Sequence, residues 1–399
     1  MNVCWLVSDD RGGGVVSVAL SCVRQAHAAG HRATLLLGSP PSGWLAGEDR
    51  GGAVIDSLNL AVGAAETPRA LLQWLSVHPQ DVLVFNNCPE AEPAIAYLPS
   101  QVRCIYAVHD TARQYWIAAL RTQRDLDGVV PVSHVVADRF GSRWSSPETL
   151  RVIYAGSRFP PAPTSRDRRP ESILFCGGDN AAKGADDVVA LWKCLERENQ
   201  DVELHWYGDM EPEFERRVRA LPGSARIHLY GRRPREEIFS RAGRCRVTLM
   251  LSRVEAFGMV TVEAMSMGCV PVAWDIATGT REIIQEGQTG LFAPLGDHAA
   301  LWHVVQSAMQ AQPSMCEAVM RRAREDFGEA TMWQGYAAFL AALADRPRLI
   351  RSGRDGSLPT YHPPRRYYQL LPARWRVAIR HAVGRCPRLG YLVRDMRGW

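Results

Sequence analysis

The sequence predicts two tandem α/β domains, each a doubly wound parallel sheet facing a shared cleft, followed by a basic carboxyl-terminal extension. Three observations predict this. Short apolar runs rich in β-branched residues alternate with helical stretches through most of the chain. Several of those runs have no polar break, as strands covered on both faces require. The chain is 399 residues long, more than one core ordinarily serves, and a Pro-rich charged segment interrupts the alternation once.

In the first domain, 1–157, the runs at 3–7, 33–37, 82–85, 104–108, 129–132 and 152–154 read as strands. Residues 15–29 make a crossover helix, and Gly30 is suited to the position after a helix. Residues 158–171 are rich in Pro and charge and poor in core residues, so they read as the interdomain linker. In the second domain, 172–345, strands are expected at 172–176, 202–207, 227–230, 247–251 and 270–274, with helices at 186–198, 234–242 and 260–267. Ligands of open α/β sheets bind beyond the carboxyl ends of the strands, so the cleft is the expected site. The extension, 346–399, opens as a linker over 346–366. Within 373–385 an amphipathic helix is expected, with Trp375, Ala378, Ile379, Ala382 and Val383 on one face and Arg374, Arg380, His381 and Arg385 largely on others.

Composition narrows the class. A chain 46% hydrophobic and 22% charged is neither disordered, collagenous nor a coiled coil as a whole. No uncharged apolar stretch approaches the roughly 20 residues that cross a bilayer, and the apolar run after Met1 meets Asp9 and Asp10 too soon for a standard signal. The ten cysteines are scattered with no Cys-x-x-Cys pair, which fits a reduced cytoplasm and argues against a zinc or disulfide framework. The net charge of +5 hides an asymmetry: residues 346–399 hold thirteen Arg, two Asp and no Lys or Glu, a net +11, against −6 for the remainder. A basic helix bearing Trp suits an anionic membrane surface, on the inner face for a cytoplasmic protein, or the chain's own acidic body. Nucleic acid is not expected, because no aromatic platform or known module accompanies the arginines. The chain has 45 Arg but only two Lys, Lys183 and Lys193, which singles those two out.

The segment 252–273 carries the most chemistry. A strand ends at Leu251, Gly258 permits close backbone approach, and a helix begins near Met259 with unpaired N–H groups and the positive end of its dipole exposed to a ligand. A phosphate belongs there. Glu255 lies just before that helix and Glu263 just over a turn inside it, where they can accept hydrogen bonds from two hydroxyl-bearing parts of one ligand. Equally, acidic residues there can simply complement the dipole.

Glu255 and Glu263, separated by seven residues within Glu-Ala-Phe-Gly-Met-Val-Thr-Val-Glu, resemble the E-x7-E signature of the group 1 (family four) retaining glycosyltransferases of GT-B fold. Further segments match in order: Gly12-Gly13-Gly14, the run from Val132 to Phe140, Lys183-Gly184, Tyr207-Gly208-Asp209, Tyr230-Gly231-Arg232, and the runs starting at Gly279 and Gly287. The resemblance covers residues 1 to about 345. It implies two Rossmann-like domains, with a nucleotide diphosphate sugar bound mainly by the carboxyl domain and a glycan or lipid-linked acceptor mainly by the amino domain. Glu255 would contact the donor sugar and Glu263 the ribose. Backbone amides of Phe257, Gly258 and Met259 would hold sugar and diphosphate, Lys183 would neutralise the diphosphate, and Gly231 and Arg232 would touch the base. His109 matches the family histidine that reaches the donor sugar. No obligatory cofactor or metal is implied. The competing bland readings are a solvated Lys183 at a helix start and a structural His109 at a strand end.

Two departures stand out. Relatives place an arginine where this chain has Gly178, and Ala155-Gly156 stands where Asn-Gly is more usual. Losing a cation from a diphosphate site leaves two outcomes: a distant arginine, Arg11 or Arg253, substitutes, or the protein is slow or an inactive scaffold. A nucleotide-sugar epimerase is the remaining enzymatic alternative. The glycine run, the phosphate or acceptor loop Gly12–14, reads G-x-G-x-x-S, and the next strand is followed by no ribose-binding acid, which argues against a dehydrogenase. Asp125-Leu126-Asp127 precedes a strand instead of following one, so it reads as a solvated turn and not a metal site.

Overall fold

Every strand pairing within the two sheets is parallel, and both sheets follow one winding order. The structure is a computed structural model, and it describes residues 1–11, 13–163, 172–198, 200–353 and 359–361. Gly12 and the expected Trp375 helix lie outside the described residues. Two compact units are present: Met1–Arg158 with the segment that begins at Gly328, and Phe159–Phe327.

Unit 1 runs β1 (Asn2–Val7), α1 (Gly14–Ala28), β2 (Arg32–Leu37), β3 (Val54–Ser57), α2 (Thr67–Val77), β4 (Val82–Asn86), β5 (Arg103–Val108), α3 (Arg113–Arg121), β6 (Gly128–Pro131) and α4 (His134–Ala137). Its strands lie in the order β3-β2-β1-β4-β5-β6. The unbroken apolar runs of β1, β4 and β5 are buried along their length apart from Asn2, as strands covered on both faces must be. The expected strand at 152–154 forms no ladder: Arg151 and Ile153 donate to Val129 and Pro131 of β6, and pairing goes no further. β3, which the sequence reading missed, is a four-residue edge strand with only partly buried or exposed residues, too short and polar for an apolar-run signal.

Unit 2 runs β7 (Ser172–Cys176), α5 (Ala185–Arg197), β8 (Glu203–Tyr207), α6 (Pro212–Arg219), β9 (Ile227–Gly231), α7 (Arg235–Ala242), β10 (Val247–Met250), α8 (Met259–Ser266), β11 (Val270–Trp274), α9 (Thr280–Ile283), β12 (Leu291–Ala293), α10 (His298–Met309) and α11 (Pro313–Asp326). Its order, β12-β11-β10-β7-β8-β9, repeats the winding of unit 1. In each sheet the winding reverses beside the first strand, between β1 and β4 and between β7 and β10. Those two switch points are where such sheets hold ligands.

The division at the carboxyl end differs from the expected boundary at 345. Helix α12 (Glu329–Ala344) belongs with unit 1. Its Trp333 and Tyr336 pack on Trp5 of β1, with ring centroids 6.2 and 5.9 Å away, and its Glu329 pairs with buried Arg24 of α1. Gly156 admits this helix, since a Cβ there would stand 2.7 Å from Met332 Cβ and from the Gly328 carbonyl oxygen. That contact explains why Gly156 is a glycine; nothing in the structure explains Ala155 in place of the more usual Asn.

The expected linker at 346–366 is also corrected in its described part, and so is the solvated turn at Asp125–Asp127. Asp127 accepts from Arg103 at 2.7 Å, from the Cys104 amide at 2.9 Å and from Arg351 at 2.8 Å. Asp125 accepts from the amide and the hydroxyl of Ser352, both at 2.9 Å. Both aspartates are buried. The acidic pair is a receptor for the chain's own carboxyl-terminal segment, and its carboxylates are engaged by these donors. Arg346 pairs with Glu148 and Arg348 donates to the Gln101 carbonyl, so three arginines of the basic extension are held by unit 1.

Candidate functional site

In unit 2 the switch point brings two loops together. After β7, Asn180 caps the short turn Ala181–Lys183 by accepting from the Ala182 amide at 2.9 Å. Gly184 follows at φ 89, with its missing Cβ only 2.5 Å from Leu251 Cβ, so no other residue lets the two loops close. After β10, the Arg253 amide donates to the Ala182 carbonyl at 2.9 Å and ties the loops directly. Lys183 Nζ thereby lies 2.6 Å from Glu255 Oε2, with the lysine side chain 35% and the glutamate 14% exposed.

Helix α8 starts beside this pair. Gly258 is its cap at φ 113, Met259 its first residue, and Phe257 is buried against Phe327 with centroids 5.4 Å apart. The Phe257 ring is therefore committed to packing within unit 2. The hydroxyls of Thr261 and Thr280 lie 3.4 and 3.5 Å from where a Gly258 Cβ would stand, and both are buried without a hydrogen-bond partner. Unmade buried hydrogen bonds are rare and concentrate at functional sites. These two threonines were missed as site residues because each sits unmarked inside a matched motif. Glu263, one turn into α8, is gripped by Arg235 of α7: Nε and Nη2 stand 2.9 and 2.7 Å from Oε1. Gly231 ends β9 at φ 67, and Arg232 beside it is exposed and 3.2 Å from Asp209.

The missing arginine has a structural cause. Gly178 adopts φ 53, and a Cβ there would lie 2.3 Å from the Asp209 carbonyl oxygen, because the 207–209 loop presses on it. Arg253 does not replace the lost charge. Its guanidinium is buried against Asp187, which also accepts from His298 at 2.9 Å, and this corrects the expectation that Arg253 serves a ligand. Arg11 belongs to unit 1.

The switch point of unit 1 is polar too. His109 follows β5, and its Nε2 lies 3.0 Å from Asn86 Oδ1. Asn86 donates its amide to the Leu6 and Val84 carbonyls, which fixes Oδ1 as an acceptor and so assigns the proton of His109 to Nε2. Desolvation pushes this imidazole down to about 4, so it is neutral at physiological pH. Asn87 holds φ 48, an uncommon conformation for a residue with a side chain. Asp10 Oδ2 and Glu90 Oε1 are buried without partners, and burial raises the Glu90 carboxyl. Sequence reading missed both because lone acids in a loop carry no spacing signal. Of the glycine run, Gly13 caps α1 at φ 102 and Gly14 opens it.

The family profile described as "Glycosyl transferases group 1" matches residues 161–326, and that described as "Glycosyltransferase Family 4" matches residues 12–157. The chain belongs to the group 1 glycosyltransferases. Among curated glycosyltransferases, it is 29% identical over 226 residues to the alpha-D-kanosaminyltransferase of Streptomyces kanamyceticus, covering 56% of this chain and 55% of that one. It is 25% identical over 234 residues to WcaL of Escherichia coli K12, a protein named for colanic acid biosynthesis, covering 54% and 57%. The chain thus spans about half the length of the curated relatives it matches. Anabaena HepE in complex with UDP-glucose aligns with a TM-score of 0.71 at 19% identity over 86% of this chain and all of that one. TarM of S. aureus, solved with UDP and glycan ligands, aligns with a TM-score of 0.71 at 10% identity over 85% and 99%. These likenesses establish the GT-B fold of two Rossmann-like domains for this group 1 glycosyltransferase. Among its described residues, no helix is long and apolar enough to cross a membrane.

Proposed function

We propose that this group 1 glycosyltransferase transfers a sugar from a nucleotide diphosphate sugar to a hydroxyl of a glycan or lipid-linked acceptor, with retention and without an obligatory metal, in cell-surface polysaccharide or glycolipid synthesis. The observation that carries the reading is the Lys183–Glu255 pair, 2.6 Å apart, at the switch point of unit 2 beside the start of α8. Breaking the glycosidic bond puts negative charge on the departing diphosphate. Lys183 and the amides at the start of α8 answer that charge where it grows. Glu255 accepts from a donor-sugar hydroxyl and Glu263 from the ribose. No side-chain nucleophile is required: the acceptor hydroxyl attacks the face that the diphosphate leaves, the bond from the anomeric carbon to the phosphate oxygen breaks, and the hydroxyl proton passes to that departing oxygen, which preserves the anomeric configuration.

The acceptor is assigned to the β1–β4 edge of unit 1, where Asp10 and Glu90 hold unpartnered acceptor atoms suited to sugar hydroxyls. His109, neutral and fixed in tautomer, serves the sugar as a hydrogen-bonding group and not as a charge. The nine arginines after Tyr361 support contact with an anionic inner-face membrane surface. Flotation with anionic liposomes at two salt concentrations tests that contact. The reaction itself is tested by incubating the full chain with a panel of nucleotide sugars and glycan acceptors, with and without EDTA, and reading the product's anomeric configuration by NMR. Transfer with retention in EDTA is expected. Inverted product, or sugar epimerised without transfer, would overturn the reading.

A further inference from the structure

The donor site as described has one evident cation, Lys183, facing a ligand that carries at least two negative charges. The arginine that relatives place before it is excluded by the backbone at Gly178, whose Cβ would stand 2.3 Å from the Asp209 carbonyl oxygen. Arg253 is locked on Asp187, and Arg232 is 78% exposed beside Asp209. Arg235 differs from both. Its guanidinium touches Glu263 Oε1 through two nitrogens at 2.9 and 2.7 Å, with the arginine side chain 27% exposed. Met259 and Glu263 are four apart on α8 and so share one helix face, about 6 Å apart along the axis. The group that holds Glu263 therefore stands one turn from the amides that would receive the phosphates.

We propose that Arg235 is the second cation of the donor site, supplying from α7 the charge that Gly178 excludes from the β7 loop and binding the nucleotide's phosphates from the ribose side. This rests on the reading of unit 2 as a nucleotide diphosphate sugar site. Glu263 pairs with Arg235, just as Glu255 pairs with Lys183, so each signature glutamate keeps one cation in place. When the ribose hydroxyls take up Glu263, the planar fork of Arg235 turns part of its donor set to phosphate oxygens, a geometry that a guanidinium matches in two-point fashion.

Calorimetric titration of the full chain with UDP, ADP and GDP selects the tightest diphosphate, which is then compared with its own nucleoside. Arg235→Gln should weaken the diphosphate about tenfold or more, about 1.4 kcal/mol, and the nucleoside little, and Arg235→Lys should recover only part of the loss, because an ammonium keeps the charge but not the two-point geometry. Equal loss for both ligands means that Arg235 only orients Glu263, and that result overturns the proposal, as does no loss. Glu263→Gln separates the two levels of inference. If it weakens the diphosphate while Arg235→Gln does not, this proposal falls alone; if neither variant has an effect, the donor-site reading falls as well. Should Arg235→Gln not fold, phenylglyoxal labelling of the wild-type protein, mapped by peptide mass, decides. The diphosphate should protect Arg235 and the nucleoside should not; labelling indifferent to the diphosphate overturns the proposal.

Discussion

The Arg351 guanidinium stands 2.8 Å from the Asp127 carboxylate, with each side chain only 2% exposed. Arg351 comes from the extension and Asp127 from the turn before β6. The same guanidinium donates to the carbonyls of Asp125, Pro99 and Val102 at 2.9, 3.0 and 2.8 Å. Arg351→Ala strips buried carbonyls and a buried carboxylate of their donor, so it should cost about 3–5 kcal/mol of stability. Urea unfolding of the full chain measures this. Arg351→Lys should recover little, because a single ammonium cannot reach the same set of acceptors. A loss below about 0.5 kcal/mol, the range of ordinary surface substitutions, would mean that the contact is incidental.

Restoring the family arginine should harm the protein. Gly178→Arg forces a Cβ onto the Asp209 carbonyl at a positive φ, and strain of that kind costs about 1–3 kcal/mol. A lower melting temperature and lower transfer rate than wild type are expected. A faster enzyme with unchanged melting would show that the 207–209 loop yields easily.

Lys183→Ala should lower kcat more than it raises KM for the donor, because the charge that Lys183 meets grows as the glycosidic bond breaks. A removed interaction of this kind costs about 10²–10³ in rate. Steady-state kinetics at saturating acceptor separate the two constants. A rise in KM alone would make Lys183 a binding residue only.

Two buried groups in unit 1 give opposed pH dependences. Burial pushes Glu92, which accepts from the Tyr106 hydroxyl, up to about 8 from a usual 4.5, so the folded state holds a proton that the unfolded chain releases. Its contribution to stability therefore falls as pH rises from about 4.5 to about 8. His109 is held down to about 4 from 6.5, so the unfolded chain binds the proton first and this contribution grows as pH rises through that window. Glu92→Gln should flatten the decline between pH 6.5 and 8 in thermal melts. An unchanged profile would show that Glu92 is ionised in the folded protein.

The strand runs of the sheet centres and the E-x7-E segment were legible because burial on both faces writes a continuous apolar signal and a helix start writes its own spacing. What escaped depended on distance in sequence. Trp333 packs on Trp5 and Arg351 seeks Asp127, and neither partner leaves a local trace. Asp125 and Asp127 read as solvated because acids in a turn usually are; their receptor role exists only once the extension returns. Lys183 and Glu255 were both singled out from sequence, but their direct pairing follows from Gly184 and from the Arg253 amide closing two loops. Arg235 drew no attention among so many arginines.

The central claim is that α8 and its Glu263 bind the nucleotide of the donor. Calorimetric titration of UDP, the ligand of the Anabaena HepE structure, into wild type and Glu263→Ala tests it most directly. Removing a charged acceptor from ribose hydroxyls should cost about 1.5–3 kcal/mol, a loss of roughly ten- to more than a hundredfold in affinity. Equal, measurable affinity in the two proteins would contradict the account.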